Sequence, residues 1–147
     1  MSLIRRAGRR ARRWAYHITT DLRGVAWNGL EPRGGASWRA HSPGVPLIFF
    51  EPSARAAAMW ANDREFEGLL RFPWPPDASE ELDWVSATPV PPQDVEIATL
   101  NEHVEDALQD MYWADPEDAY GLFDDLVVDW EHLDWLPVAA RREATVS

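Results

Sequence analysis

The residues best suited to chemistry near the start of this chain are a histidine and two threonines at the end of a short apolar run. The run reads WAYHIT over residues 14–19, so His17 and Thr19 stand where a predicted strand ends. Its aromatic and β-branched content is typical of a strand. A histidine at such a place either packs against its neighbours or contacts a ligand at the sheet edge, and both interpretations remain open on these residues alone.

Several other kinds of chemistry are excluded by composition. The chain has no cysteine and no lysine, which excludes thiolate metal sites, a cysteine nucleophile, Schiff-base chemistry and a P-loop lysine. Two groups have the helical spacing that metal ligands use, His103 with Glu102 and Asp106, and His132 with Asp129. Neither has a further histidine or a cysteine cluster, so we interpret both as solvated helix faces and predict no metal site.

The helices and strands that must position His17 are predicted from the periodicity of apolar residues and from helix-capping residues. Asp21 is placed to cap a helix that ends at Gly29, Ser53 is placed to cap an alanine-rich helix, and residues 31–45 read as a loop rich in Gly and Pro. The predicted strands are 14–19, 46–50, 67–74 and 83–88, followed by an extended segment over 89–100 with one turn. The predicted helices are 22–28, 53–66, 101–113 and 116–135.

Charge divides the chain into three predicted parts. The formal net charge is −11, yet residues 1–13 hold six Arg and no acid, whereas residues 101–147 hold thirteen acids and two Arg. We predict a basic N-terminal helix over 1–13, an α+β core over 14–100 and an acidic helical extension over 101–147 packed on that core. The head and the extension can attract each other, or the head can contact a phosphate or an anionic partner.

Membrane insertion and export are not predicted. No apolar stretch approaches the roughly 20 residues that a membrane-spanning helix needs. The charged head is not followed by the apolar region of a secretory signal. The sequence therefore predicts a cytoplasmic protein.

Four segments in order resemble the ADP-ribosyltransferase superfamily. They are YHITT (16–20), NGLEPRGG (28–35), PLIFFEPSARAAAMWAN (46–62) and DWVSATPVPPQDVEI (83–97). The pattern is most similar to the poly(ADP-ribose) polymerase branch and to the DNA-modifying toxins of this superfamily. The resemblance implies a split antiparallel sheet. It fits RNA 2′-phosphotransferases, which share the fold, less well because their second strand carries a histidine and this one reads LIFF.

The chemistry implied by the resemblance is cleavage of the bond between nicotinamide and ribose in NAD. As in glycoside cleavage, positive charge builds on the ribose. A site for this reaction must hold a flat amide-bearing ring, orient the ribose hydroxyls and place an anion near the developing cation. A strand-end histidine, flanking aromatics and a carboxylate suit these three tasks.

The resemblance assigns these three tasks to specific residues. His17 and Thr19 match the first motif, where the histidine bonds a ribose hydroxyl and the backbone of Ile18 holds the carboxamide. Phe49 falls where many members carry a Tyr, so it can stack but has no hydroxyl. Trp60 follows it by eleven residues and is expected against the nicotinamide. Core packing is the alternative for both aromatics.

The catalytic acid and the phosphate contacts are also placed by resemblance. Asp83 falls best on the place of the catalytic glutamate, and Glu81 or Glu80 replaces it if the register shifts. An aspartate is one methylene shorter than a glutamate, which changes its reach. Arg33 and Arg39 in the Gly-rich loop are candidates for the NAD diphosphate. Solvated loop side chains are the alternative for all of these residues.

Two functions of different classes follow. The first is an enzyme, a mono-ADP-ribosyltransferase of the bacterial or phage effector kind that uses NAD as substrate and a protein or nucleic-acid acceptor. The second is a binding module that keeps the fold without the chemistry. It would dock a protein partner through its acidic, Trp-rich C-terminal helices, or occupy a basic groove by imitating the charge of nucleic acid.

Overall fold

The computed structural model describes residues 13–32, 46–79 and 84–144. Of the predicted basic helix, only Arg13 falls within these ranges. The predicted site residues outside them are Arg33, Arg39, Glu80, Glu81 and Asp83. What the sequence predicts for these residues stays a prediction.

The described residues form both helices and antiparallel strands, which makes an α+β protein, as the sequence predicts. The strands are β1 (Trp14–Thr19), β2 (Ile48–Phe49), β3 (Gly68–Pro73), β4 (Val85–Ser86), β5 (Glu96–Thr99) and β6 (Asp134–Pro137). The helices are α1 (Leu22–Asn28), α2 (Ala54–Ala58), α3 (Glu102–Met111), α4 (Pro116–Asp124) and α5 (Arg141–Ala144). Single 3₁₀ turns cover Met59–Asn62, Pro92–Asp94 and Val138–Ala140.

The main sheet has four antiparallel strands in the order β1-β3-β5-β6. A separate antiparallel pair is formed by β2 and β4. The two are joined where Tyr16 and Glu51 exchange backbone hydrogen bonds of 2.9 and 2.8 Å. Because β3 occupies one edge of β1, Glu51 lies on the opposite edge.

Side chains alternate across β1 and β3, which places an apolar core on each face of the sheet. Ile18 and Leu69 belong to one core with residues of α2, α3 and α4. Ala15 and Phe72 belong to the other core with residues of α1 and β5. Strands buried on both faces read as continuous apolar runs, which is why β3 reads GLLRFP.

Three helices begin at residues of the types that commonly serve as N-caps. Asp21 accepts a hydrogen bond from Gly24 N at 3.0 Å, and Ser53 accepts one from Ala56 N at 3.1 Å. Asn101 accepts one from Val104 N at 2.9 Å. Each cap satisfies an amide that the first turn of a helix leaves unbonded, so these starts follow from local sequence.

The alanine-rich helix is shorter than its sequence predicts. It leaves α geometry after Ala58 and ends as a 3₁₀ turn at Asn62. Asn62 Nδ2 donates to the carbonyl oxygens of Met111 and Ala114, at 2.8 and 3.3 Å. These bonds join the end of the turn to the end of α3.

The helix predicted over residues 116–135 is wrong beyond Asp124. The chain continues without a regular element to Leu133, and residues 134–137 form β6 beside β5. Leu126, Val128 and Trp130 pack against the core, whereas Val127 is 96% exposed. Alternate residues therefore face inward, which is the period of extended chain. The extension is consequently not wholly helical, because one of its segments completes the sheet.

Among the described helices, none combines the length and the apolar character that crossing a membrane requires. The longest of them, α3, has ten residues, against the roughly 20 that span a bilayer.

Candidate functional site

The candidate site lies where β1 and β2 are linked by a side chain. His17 Nδ1 lies 2.6 Å from the carbonyl oxygen of Phe49. A carbonyl oxygen only accepts hydrogen bonds, so Nδ1 is the donor, and Nε2 of the neutral ring is left as an acceptor. The imidazole is thus oriented by the backbone of the neighbouring strand.

The ionisation of His17 is set by its surroundings. Burial of the ring and, to a smaller extent, the positive charge of Arg64 together lower the pKa of His17 to about 4. The hydrogen bond to Phe49 raises the pKa but is the smallest of the three effects. The ring is therefore neutral at pH 7 and can accept a hydrogen bond from a ligand hydroxyl.

Four of the residues that the sequence proposes for ligand binding line one small cavity of about 40 Å³: His17, Ile18, Phe49 and Trp60. We call it the aromatic cavity. Its other lining residues are Tyr16, Phe50, Glu51, Ala57, Arg64 and Trp84. Segments far apart in sequence, from β1, β2 and the turn after α2, therefore meet around one small cavity lined largely by aromatic side chains.

A second cavity of about 250 Å³, which we call the polar cavity, shares His17, Phe49 and Arg64 with the first. It is lined further by Thr19, Thr20, Asp21, Val25, Gly29, Leu30, Glu31, Leu47 and Ile48. Thr19 is buried, and its hydroxyl oxygen accepts a hydrogen bond from Asp21 N at 3.0 Å. The structure thus places Thr19 at the polar cavity rather than the aromatic one.

Sequence reasoning missed Glu51 and Arg64. Glu51 is half-buried, and its carboxylate accepts a hydrogen bond from Trp60 Nε1 at 3.3 Å. Arg64 lines both cavities. The sequence could have indicated both residues. Glu51 directly follows the predicted strand that carries Phe49, and Arg64 lies four residues after Trp60.

The predicted acids Asp83 and Glu81, and the loop residue Arg33, lie outside the described residues. The two histidine groups of the acidic region are exposed, and His132 pairs with Asp129 at 3.0 Å. Within the part of the chain that the structure describes, no three His, Cys, Asp or Glu side chains cluster as metal ligands would. Among the described residues that line the aromatic cavity, the acidic one is Glu51.

The fold and the site together define an α+β protein with an aromatic cavity beside a larger polar one. Comparisons with protein-family models, with curated proteins and with solved structures gave no match. What the site does must therefore be inferred from its own geometry and chemistry.

A pH-dependent stability is expected from His17. Its pKa is about 4 in the folded protein and 6.5 ordinarily, so between these values the unfolded chain holds more protons. Unfolding then takes up a proton, and the free energy of unfolding falls as the pH falls from 6.5 to 4, by at most about 3 kcal/mol. Denaturant unfolding of the wild type and of His17→Gln across this range measures the effect.

The His17→Gln variant should lose this part of the pH dependence, whereas His132→Gln serves as the control. The side chain of His132 is 76% exposed, so its replacement should change the free energy of unfolding little. Parallel pH profiles for the wild type and His17→Gln would show that the imidazole is not held in its neutral form.

Proposed function

We propose that this chain is a mono-ADP-ribosyltransferase that binds NAD across the aromatic and polar cavities and transfers ADP-ribose to a protein or nucleic-acid acceptor. One observation carries the proposal. The three side chains that the sequence assigns to NAD from remote segments, those of His17, Phe49 and Trp60, line one cavity. Had they been unrelated packing residues, nothing would require them to meet.

The split sheet of the ADP-ribosyltransferase type belongs to the same proposal. It is supported by the separation of the β2–β4 pair from the four-stranded sheet. The two sheets meet through the Tyr16–Glu51 bridge. One residue further along β1, the imidazole of His17 reaches the backbone of Phe49. A cleft between two diverging strands is a favourable place for a ligand, because backbone and side-chain polar groups both face it.

Each lining residue has a task in this proposal. The nicotinamide ring occupies the aromatic cavity, where Phe49 and Trp60 offer ring faces. The backbone of Ile18 bonds the carboxamide, and Nε2 of His17 accepts from a ribose hydroxyl. The larger polar cavity takes the ribose and the phosphates, with Thr19 in its wall.

The proposed reaction is a displacement at the ribose. The bond between C1′ of the ribose and the pyridinium nitrogen breaks, and nicotinamide leaves with the bonding electron pair as a neutral molecule. A nucleophilic atom of the acceptor forms the new bond to C1′ and gives up its proton to a carboxylate. Asp83 and Glu81 remain the proposed residues for this proton transfer. Positive charge on the ribose is stabilised by an anion nearby.

Nicotinamide release from NAD is expected to fall at least about 100-fold in His17→Ala and Trp60→Ala, because each removes a group that orients the bound nucleotide. The assay uses purified protein and NAD labelled on the nicotinamide and on the adenylate. NAD binding is measured in parallel by calorimetry. Trp113→Ala is the matched control, because Trp113 is 77% exposed and does not line either cavity.

Turnover that survives both His17→Ala and Trp60→Ala would reject this site. Asp83→Asn and Glu81→Gln separate the two proposed acids, since the variant that loses transfer but keeps NAD binding identifies the proton acceptor. Circular dichroism of each variant shows whether it is folded.

We propose as the second candidate a binding module without catalysis, because aromatic and aliphatic side chains are exposed on the acidic region. Trp113 is 77% exposed, Tyr120 49% and Val127 96%. An acidic surface with exposed aromatics suits a basic protein partner. Absence of NAD binding, together with salt-sensitive retention of a basic partner through residues 101–136, would favour this candidate over the transferase.

A further inference from the structure

Two aromatic side chains are exposed at the connection between α3 and α4. Tyr112 and Trp113 directly follow α3, and they are 38% and 77% exposed. Their rings meet edge to face, with centroids 4.9 Å apart. We call residues 110–118 the Trp113 corner. A tryptophan carries a large apolar surface that folding ordinarily buries, so packing within this protein does not explain the position of Trp113.

The backbone of the Trp113 corner is held by hydrogen bonds. Trp113 N donates to the carbonyl oxygen of Asp110 at 3.1 Å, which closes a turn. On either side of the two aromatic residues, the carbonyl oxygens of Met111 and Ala114 accept from Asn62 Nδ2, at 2.8 and 3.3 Å. An aromatic side chain on a backbone that is already ordered loses little entropy when it meets a partner. Trp113 therefore has the properties of a binding anchor.

Exposed carboxylates flank the two rings, and helix stability does not account for all of them. Asp110 lies in the last turn of α3, where the helix dipole disfavours a negative charge. Asp115 is the N-cap residue of α4, but its side chain makes no capping hydrogen bond. Glu117 and Asp118 follow in the first turn of α4. The sequence has no Arg or Lys over residues 72–140, so the charge of the corner is complementary to a cationic partner.

The environment of Arg71 shows which cation suits rings and a carboxylate together. Its guanidinium carbon lies 4.0 Å from the ring centroid of Trp14 and 4.6 Å from that of Trp135. Its Nε donates to the carboxylate of Glu96 at 2.6 Å. A planar guanidinium can stack on a ring face and donate to a carboxylate in its own plane at the same time. The Trp113 corner offers the same two kinds of group on the surface.

We infer that the Trp113 corner is a docking surface for an arginine-rich segment of a partner protein. An arginine of the partner stacks on Trp113, and its N–H groups donate to the neighbouring carboxylates. The inference rests on the second candidate function, because it takes the acidic region as a binding surface for a basic partner. It goes further by naming the place of contact and by distinguishing arginine from lysine. Trp113 lines neither cavity, so this docking does not involve NAD.

The test for Trp113 measures the binding of two fluorescent peptides of equal length and charge by anisotropy, at about 0.15 M salt. One peptide alternates arginine with glycine, and the other alternates lysine with glycine. The full chain should bind the arginine peptide at least about fivefold more tightly. Trp113→Ala should bring the two dissociation constants within about twofold, because it removes the ring and leaves the charge unchanged. Val127→Ala removes a side chain that is 96% exposed, and as the control it should keep the preference.

The test for the carboxylates uses two double variants with the same change in net charge. Asp110→Asn with Asp115→Asn should weaken binding of the arginine peptide about tenfold, because both flanking carboxylates are lost. Glu131→Gln with Asp134→Asn changes exposed acids in another segment of the acidic region, and it should weaken binding less than about threefold. Equal weakening by the two pairs would overturn the assignment to the Trp113 corner. Thermal unfolding of each variant shows that the fold is retained.

The outcomes separate this inference from the second candidate function. If the wild type binds both peptides equally and Trp113→Ala changes neither affinity, the inference is overturned, whereas general attraction of basic partners stands. If neither peptide binds, both are overturned. A preference for arginine that survives Trp113→Ala overturns the place of contact. Size-exclusion chromatography over a range of concentrations tests the other occupant, since a dimer that Trp113→Ala abolishes would identify a second copy of this chain and overturn the inference.

Discussion

Replacing Phe72 with alanine is expected to lower the free energy of unfolding by about 3–5 kcal/mol. Phe72 is fully buried near the C-terminal end of β3, where it lies opposite Ala15 of β1. Its ring packs edge-to-face against Phe50, with ring centroids 5.9 Å apart. Alanine would leave a cavity walled by two strands, which cannot close it without breaking their pairing. Chemical denaturation followed by tryptophan fluorescence measures the loss.

Two further variants make the Phe72 result interpretable. Phe72→Leu keeps most of the apolar volume and should cost clearly less than the alanine change. Leu122→Ala removes a side chain that is 37% exposed, so it should cost less than about 1 kcal/mol. An equal loss from Phe72→Ala and Leu122→Ala would contradict the placement of Phe72 in a close-packed core.

Replacing Gly29 with alanine is expected to destabilise the protein by at least about 3 kcal/mol, because two costs add. Gly29 has φ 75° and ψ −160°, a conformation that essentially only glycine adopts. A Cβ atom there would lie 2.0 Å from the carbonyl oxygen of Val90. That oxygen accepts a hydrogen bond from Leu30 N, so moving it away would break a contact between buried segments.

Gly121→Ala is the matched control for Gly29→Ala. Gly121 lies within α4, and a Cβ atom added there meets no other atom within 4 Å. Alanine at a helical position should raise the free energy of unfolding by about 0.5–1 kcal/mol. Opposite signs for the two glycine variants are therefore expected. A Gly29→Ala protein as stable as the wild type would refute the close approach to Val90.

The site depends on the same local architecture as these two predictions. Gly29 lines the polar cavity, and Phe50 lines the aromatic one. The conformation of Gly29 lets α1 end against Val90, and the packing of Phe50 on Phe72 fixes the strand that carries Phe49. Stability and the shape of both cavities are therefore expected to change together in Gly29→Ala and Phe72→Ala.

Local signals explain what could be predicted from the sequence. Asp21, Ser53 and Asn101 each cap a helix within a few residues of their own position, so no distant contact is needed. The strand over Trp14–Thr19 and the strand Gly68–Pro73 are apolar enough on both faces to be recognised alone. His17, Phe49 and Trp60 were selected through the resemblance to the ADP-ribosyltransferase superfamily, and the structure places all three at one cavity.

Distant contacts explain what could not be predicted. The apolar residues from Leu122 to Leu133 have helical spacing throughout, yet the helix ends at Asp124 and residues 134–137 pair with β5. Leu126 and Val128 pack inward on the core from extended chain. Periodicity cannot distinguish a helix from extended chain when the same apolar residues fit both the helical period and the period of two.

The sequence by itself determined where α1 to α4 start and that β1 and β3 are strands, because each is set by neighbours within a few positions. Only the tertiary structure decided that Glu51 and Arg64 line the same cavity as His17 and that Asp134–Pro137 is a strand. Both depend on chain segments meeting in space. Which segments meet is settled by burial of the two cores together, and no single segment carries that information.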